Sequence, residues 1–259
     1  MEGQSFKPIS ENHSISRAIA NLFVPQRILK PQFIFDKIRK ENSLINYQRK
    51  SLTEAQTINI INNIPNTSKE FDGFIFEEFN SKGKSTYMFR VKNEPNRTQI
   101  NLENRDYTNW EDFKTKLTDA VDCLSIAMPI FVEGISLTYI DEFVWLKPSN
   151  IEVKSILDEN SELLNKDFFN SYNGTLVLLS QSEPKDDVSF EEQKTEIIFN
   201  NIIKRVIINH SLAVKFKEVT VYDPGSKESF ISYFNQAHIA NKNILKRILR
   251  DDVQQLINL

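Results

Sequence analysis

The sequence predicts an α+β fold, antiparallel sheet with helices packed on one face, and three observations carry that prediction. From Phe71 the apolar residues alternate with period two through GFIFEEF, STYMFRV and RTQINLE, with Asn80 to Gly83 and Asn93 to Asn96 as turns between them; this is the pattern of a three-stranded meander. Behind it Phe113, Leu117, Ala120, Val121 and Leu124 recur at intervals of three and four, the spacing of an amphipathic helix. Near the end, Phe230, Phe234, Ala237, Asn241, Ile244 and Ile248 mark a second helical seam,.

In chain order, His13 to Val24 alternates in part and is predicted as a strand,. Pro31 opens a short helix to about residue 41, because proline suits a first turn and Ile34, Phe35 and Ile38 share a face,. Leu44 to Lys50 reads as a strand. The segment 52–65, LTEAQTINIINNIP, offers a capping box from Thr53 to Gln56 and a stop at Pro65, so it is predicted as a short helix. After the meander, Thr108 and Glu111 form a second capping box at the head of a helix over 109–127, closed by Pro129,.

The second half is predicted as a strand over Phe131 to Trp145, a short helix near Glu159 to Phe168, and strands at Tyr172 to Leu179, Lys194 to Phe199, Lys204 to Phe216 and Val219 to Tyr222. One helix over 227–257 closes the chain. Pro184 to Glu192 is polar and acidic and reads as an exposed hairpin loop,. The expectation is a single unit, 1–259, whose halves 13–128 and 129–259 each run strand, helix, strands, helix and join as a saddle. Trp110 and Trp145 are expected to anchor cores.

Composition excludes several classes. With 259 residues, 40% hydrophobic, 19 Phe and a mean hydropathy of -0.40, the chain has ample apolar surface for a core and is not disordered. The net charge of -3 argues against coating nucleic acid through charge alone,. A lone cysteine, Cys123, builds neither a disulfide nor a CxxC metal site and fits a reducing cytoplasm,. No signal-like start and no apolar run long enough to span a bilayer are found, so no membrane partner is expected.

The search for chemistry is mostly negative. No phosphate-cradling glycine loop, GxSxG or HExxH motif occurs, and only 6 glycines are present,. His13, His210 and His238 lack a second ligand at metal spacing, so no metal and no cofactor are expected,. Cys123 is expected to be a buried, inert thiol, and His238 a packed structural histidine with a lesser claim to a binding role. Asp72, Glu77, Glu78, Asp141, Glu142, Glu191 and Glu192 could serve a metal-dependent nuclease only by converging, and Asp141 and Glu142 alternate to opposite faces of a strand,.

Charge offers more. Residues 13–50 hold Arg17, Arg27, Lys30, Lys37, Arg39, Lys40, Arg49 and Lys50 against Asp36 and Glu41. That excess could meet nucleic acid or an acidic protein face, although a solvated surface carries the greater weight. The candidate binding residues are therefore Arg17, Arg27, Lys37, Arg39, Lys40 and His238. Residues 183–196 are acidic in turn, and opposite patches on one chain can drive self-association,.

Two segments, INLENRDYTNWEDFKTKLTDAVDCL and AHIANKNILKRILRDDVQQLI, resemble a family of uncharacterised proteins scattered sporadically through bacteria and archaea. The family's Tyr-x-x-Trp-x-x-Phe helix start is matched by Tyr107, Trp110 and Phe113, and its closing helix by His238, Ile244 and Leu245. Its Tyr-Ile/Val-Asn strand is approximated by Tyr139-Ile140-Asp141. The scattered occurrence is similar to that of phage-defence and toxin genes. Together with the missing catalytic motifs, this implies a non-catalytic cytoplasmic binding protein, a sensor or accessory subunit whose partner is another protein. The alternatives are a nucleic-acid-binding module and, with less weight, a metal-dependent nuclease.

Overall fold

The computed structural model describes residues 5–61, 64–182 and 187–259. Among them, ten strands form one antiparallel sheet and four α-helices accompany it. The elements are β1 Phe6–Pro8, β2 Ile15–Val24, α1 Pro31–Ile38, β3 Arg49–Ile61, β4 Ile64–Phe79, β5 Ser85–Asn93, β6 Thr98–Asn104, α2 Trp110–Ala127, β7 Ile130–Trp145, β8 Gly174–Ser182, β9 Val188–Asn200, β10 Arg205–Tyr222, α3 Lys227–Ile248 and α4 Asp251–Leu256. The strand order is β3-β4-β5-β6-β2-β7-β10-β9-β8, and β1 pairs with β7. The α+β class and antiparallel sheet are as the periodicities predict.

The chain divides into two compact units. The first gathers the residues up to Ile19 with Ser136–Lys215 and Ser232–Leu259, and the second is Ala20–Ile135 with Phe216–Ile231. In the second unit the meander builds the core. Phe76 lies against Phe35 at 5.5 Å, Phe74 at 5.8 Å, Phe89 at 6.2 Å and Tyr47 at 6.3 Å between ring centroids, the tilted and edge-on contacts that aromatic quadrupoles favour. Helix α1 buries Pro31, Ile34, Phe35 and Ile38 there, and α2 buries Trp110, Phe113, Leu117 and Leu124. The first unit packs Phe143 and Trp145 of β7, Ile197 and Phe199 of β9 and Val206 and Ile208 of β10 with Leu245, Ile248, Val253 and Ile257. Both tryptophans are buried, as expected.

Several local expectations are corrected. Residues 52–65 are not a helix, because β3 pairs with β4 in an unbroken run from Thr57/Ser68 to Ile61/Ile64 beyond a register shift at Thr53/Glu54. Thr53, Thr57, Ile58, Ile60 and Ile61 are β-branched and prefer a pleated strand. The strand expected at Leu44 to Lys50 is a 3-10 turn at Asn42–Leu44 followed by the buried ring of Tyr47, and β3 starts only at Arg49. The cap of α2 is Asn109 rather than Thr108: Asn109 Oδ1 accepts from the Asp112 backbone N–H at 2.9 Å,.

Residues 159–168 form turns leading into a 3-10 segment, Lys166–Asn170, instead of a helix. The two strands expected between 204 and 222 are the single strand β10. The closing helix breaks at Leu249 and Arg250, where the Arg250 N–H bonds Ile156 O at 3.2 Å and the Asp158 N–H bonds Ile248 O at 2.9 Å. That tertiary bridge replaces the continuing helical bonds, and Asp251 and Asp252 then restart a helix with acidic residues in its first turn,. The hairpin loop expected at Pro184 to Glu192 falls partly outside the described residues, and from Val188 it is strand β9.

Candidate functional site

Between β2 and α1 the chain makes a short connection fixed at Ile28. Asn93 clamps both backbone groups of that residue: the Ile28 N–H donates to Asn93 Oδ1 at 2.9 Å, and Asn93 Nδ2 donates to Ile28 O at 2.9 Å. Thr98 Oγ1 holds Gln26 O at 2.8 Å. Ile28 thereby points inward and Leu29 is left outward, 92% exposed. One turn on, Phe33 is 57% exposed. Two adjoining clefts, of about 480 and 410 Å³, share Leu29, Lys30 and Phe33. The larger continues along Asp36, Glu70 and Phe71, and the smaller along Val24, Met128, Pro129 and Phe131.

Four cations, Arg27, Lys30, Lys37 and Arg39, attend this groove. Arg27 pairs with Glu70 at 2.9 Å, Arg39 with Asp36 at 3.2 Å, and Lys37 Nζ stands 4.8 Å from the centroid of the Phe33 ring. Lys30 and Lys40 are exposed. The structure thus brings Arg27, Lys37, Arg39 and Lys40 of the candidate set to α1 and its approach, with acidic groups at Asp36 and Glu70 only partly offsetting them. Arg17 is exposed on the part of β2 that belongs to the first unit, and His238 is on α3 of that unit. The sequence shows the groove's cations as a cluster but not its apolar floor. An apolar Leu29 beside Ile28 looks like core, and only the Asn93 clamp decides which of the two faces water.

The first unit contains a buried polar cluster. Asp141 of β7 is wholly buried; Ser14 Oγ donates to its Oδ1 at 2.5 Å and His210 Nε2 lies 2.6 Å from its Oδ2. Two residues earlier on the same face, the Tyr139 ring centroid is 5.7 Å from that of His210, and its hydroxyl meets His238 Nδ1 at 2.9 Å. Asn241 of α3 donates to Leu137 O at 3.0 Å. The residue types are those of a serine hydrolase, yet the order is wrong for nucleophilic catalysis. There the imidazole must stand between hydroxyl and carboxylate to take the proton, whereas here the carboxyl stands between hydroxyl and imidazole. With Ser14 and His210 each 1% exposed, the arrangement braces strands and reaches no substrate. Glu142, on the opposite face as alternation requires, pairs with Arg205 at 2.6 Å.

Cys123 is buried, and burial pushes its thiol pKa up despite a hydrogen bond with Ser43 that acts the other way. That is the environment of an unreactive thiol. Among the described residues no group of three or more His, Cys, Asp and Glu side chains could hold a metal ion.

In the second unit a titratable cluster surrounds Lys116. Lys116 Nζ lies 3.2 Å from Glu78 Oε2 and stands over the rings of Tyr87 and Tyr47 at 5.2 and 5.9 Å. Burial, reinforced by Asp112 and Glu78, pushes the Tyr87 hydroxyl up to about 12, and burial drives Tyr47 higher still. Both hold their protons more tightly folded than unfolded. Their contribution is therefore complete below pH 10, where unfolded tyrosine also stays protonated, and is lost as pH rises through the folded values. Stability should fall steadily between about pH 10 and 12,. Urea midpoints measured across that range should show a shallower fall for Tyr87→Phe, and an unchanged slope would contradict the assignment.

No family model and no curated protein matches this chain. Among solved structures it is similar to the di-domain ARO/CYC StfQ from the steffimycin biosynthetic pathway, at 8% identity and a TM-score of 0.20, covering 88% of this chain and 95% of that one. At that score the likeness carries no argument.

Proposed function

We propose that this chain is a non-catalytic binding protein, an accessory or sensor subunit that receives an apolar, acidic segment of another protein in the groove at Leu29 and Phe33. The observation that carries this reading is the outward clamping of Leu29 beside Phe33, in clefts lined by Arg27 and Lys30 with Lys37 over the Phe33 ring. Apolar side chains held in water beside a cleft are the usual anchors of a protein contact, and the surrounding charge favours an acidic partner. A place in a bacterial phage-defence or toxin-type system rests on the resemblance at Tyr107, Trp110 and Phe113.

The competing readings have less behind them. Phosphate binding would draw on the same cations, of which Arg27 and Arg39, like Arg49 with Glu77 at 3.3 Å, are each paired with a carboxylate, and it would leave the exposed Leu29 and Phe33 without a role. A nuclease centred on Asp141 would need that carboxyl accessible to metal and substrate, and it is wholly buried. Among the described residues no helix is long and apolar enough to cross a membrane.

The test is affinity capture from the native host with wild type and the Leu29→Glu/Phe33→Glu variant in parallel. Both side chains are exposed, so the variant should melt within a few degrees of the parent,. A stoichiometric protein recovered with the wild type should fall at least tenfold with the variant. Equal recovery with both would remove the groove from the account, and nuclease-sensitive nucleic acid in the wild-type eluate would replace the protein partner.

A further inference from the structure

The strand order ends at β8, and among the described residues nothing pairs with its outer edge. An unpaired edge presents alternate backbone N–H and C=O groups to any extended chain, and proteins ordinarily blunt it with lysine, proline, a bulge or brevity. β8 has none of these. It spans nine residues, GTLVLLSQS, without a charge or a proline. Its register with β9 runs unbroken from Gly174↔Phe199 to Ser182↔Glu191, so no bulge twists the edge away. The strand at the other end of the order, β3, carries Arg49, Lys50 and Glu54.

Leu176 and Leu178 pack against the core of the first unit and hold β8 in place. The alternate residues Val177 and Leu179 are 50% and 58% exposed on the other face. A strand that pairs antiparallel with its own copy sets each residue opposite a residue of the same strand, so any charge in it risks meeting its own sign. β8 is free of that penalty. In the register centred on Leu178, Val177 of one copy meets Leu179 of the other, Thr175 meets Gln181, and all nine residues overlap,.

We infer that β8 is a self-association edge, joining two copies of this chain by antiparallel β8–β8 pairing about a two-fold axis. Such a contact is isologous and closes at two copies. The occupant is a second copy because the strand is uncharged and its apolar pair is self-complementary in the centred register. A foreign strand would gain nothing from that symmetry.

The experiment is light scattering after size exclusion on the full chain, from about 1 to 100 µM, the range over which weak edge contacts assemble. The wild type should pass from monomer to dimer. Val177→Lys/Leu179→Lys and Val177→Glu/Leu179→Glu should each remain monomeric over the range, with melting temperatures near the parent, because the replaced side chains are exposed. An equimolar mixture of the two variants should dimerise again, since lysine then faces glutamate across the axis. A wild type that stays monomeric, a dimer that survives the lysine variant, or a mixture that fails to reassociate would each overturn β8 pairing.

Discussion

Asp141→Ala is expected to lower the stability of the protein by about 2–6 kcal/mol, since two buried groups lose their partner and an unsatisfied buried polar group costs about 1–3 kcal/mol. The Asp141 carboxyl bonds both Ser14 Oγ and His210 Nε2, and all three residues are 0 to 1% exposed. Water cannot take its place without opening the strands. The alternative view, that a polar cluster in a core merely tolerates burial, predicts a far smaller loss. The discriminating comparison replaces the whole cluster: Ser14→Ala/Asp141→Leu/His210→Phe removes the polar groups together and should recover much of what Asp141→Ala loses. Urea unfolding followed by circular dichroism supplies the numbers. A single-variant loss below about 0.5 kcal/mol would show that these bonds do not brace the unit.

The same cluster shows where sequence ceases to be legible. Strand alternation is enough to place Asp141 and Glu142 on opposite faces, and Glu142 does reach Arg205 while Asp141 faces inward. Nothing in the sequence says that residues 14 and 210 arrive at residue 141, because pairing across more than 60 positions is decided by sheet order. The helices with strong period were readable: α1 begins at the expected proline, and α2 follows its Phe113–Leu117–Leu124 seam. Segment 52–65 failed for a physical reason. Thr53 and Gln56 satisfy a local capping pattern, but thirteen cross-strand partnerships with β4 outweigh one capped turn,. The break at Leu249 and Arg250 depends on Ile156 and Asp158, nearly a hundred residues away. The groove was half legible: its cations stood out as a cluster, while the exposure of Leu29 came from Asn93 and so from tertiary structure.

Gly73→Ala should be at least as damaging. Gly73 opens the β4–β5 ladder opposite Lys92, next to the register shift that leaves Asp72 as an extra residue between the pairs Thr53↔Gly73 and Glu54↔Phe71. The shift bends β4 and brings its backbone onto β5 more closely than a side chain allows. A methyl group at position 73 would stand 2.0 Å from Val91 O and 2.9 Å from Lys92 Cα. Every one of those atoms is backbone, so no rotamer change relieves the clash and the strands must part. The next residues along are Phe74 and Phe76, wholly buried against Val91 and Phe89, so parting the strands opens the core of the second unit. Overpacking of this kind costs about 1–3 kcal/mol in a yielding site and more where only backbone can move. A loss above about 3 kcal/mol, or failure to accumulate as folded protein, is expected. Gly83 is the control: its φ of 73° strains any side chain, but nothing lies within 4 Å of an added Cβ, so Gly83→Ala should cost only about 1 kcal/mol through backbone strain. If Gly73→Ala melted no lower than Gly83→Ala, the close approach of β4 to β5 would not exist in solution.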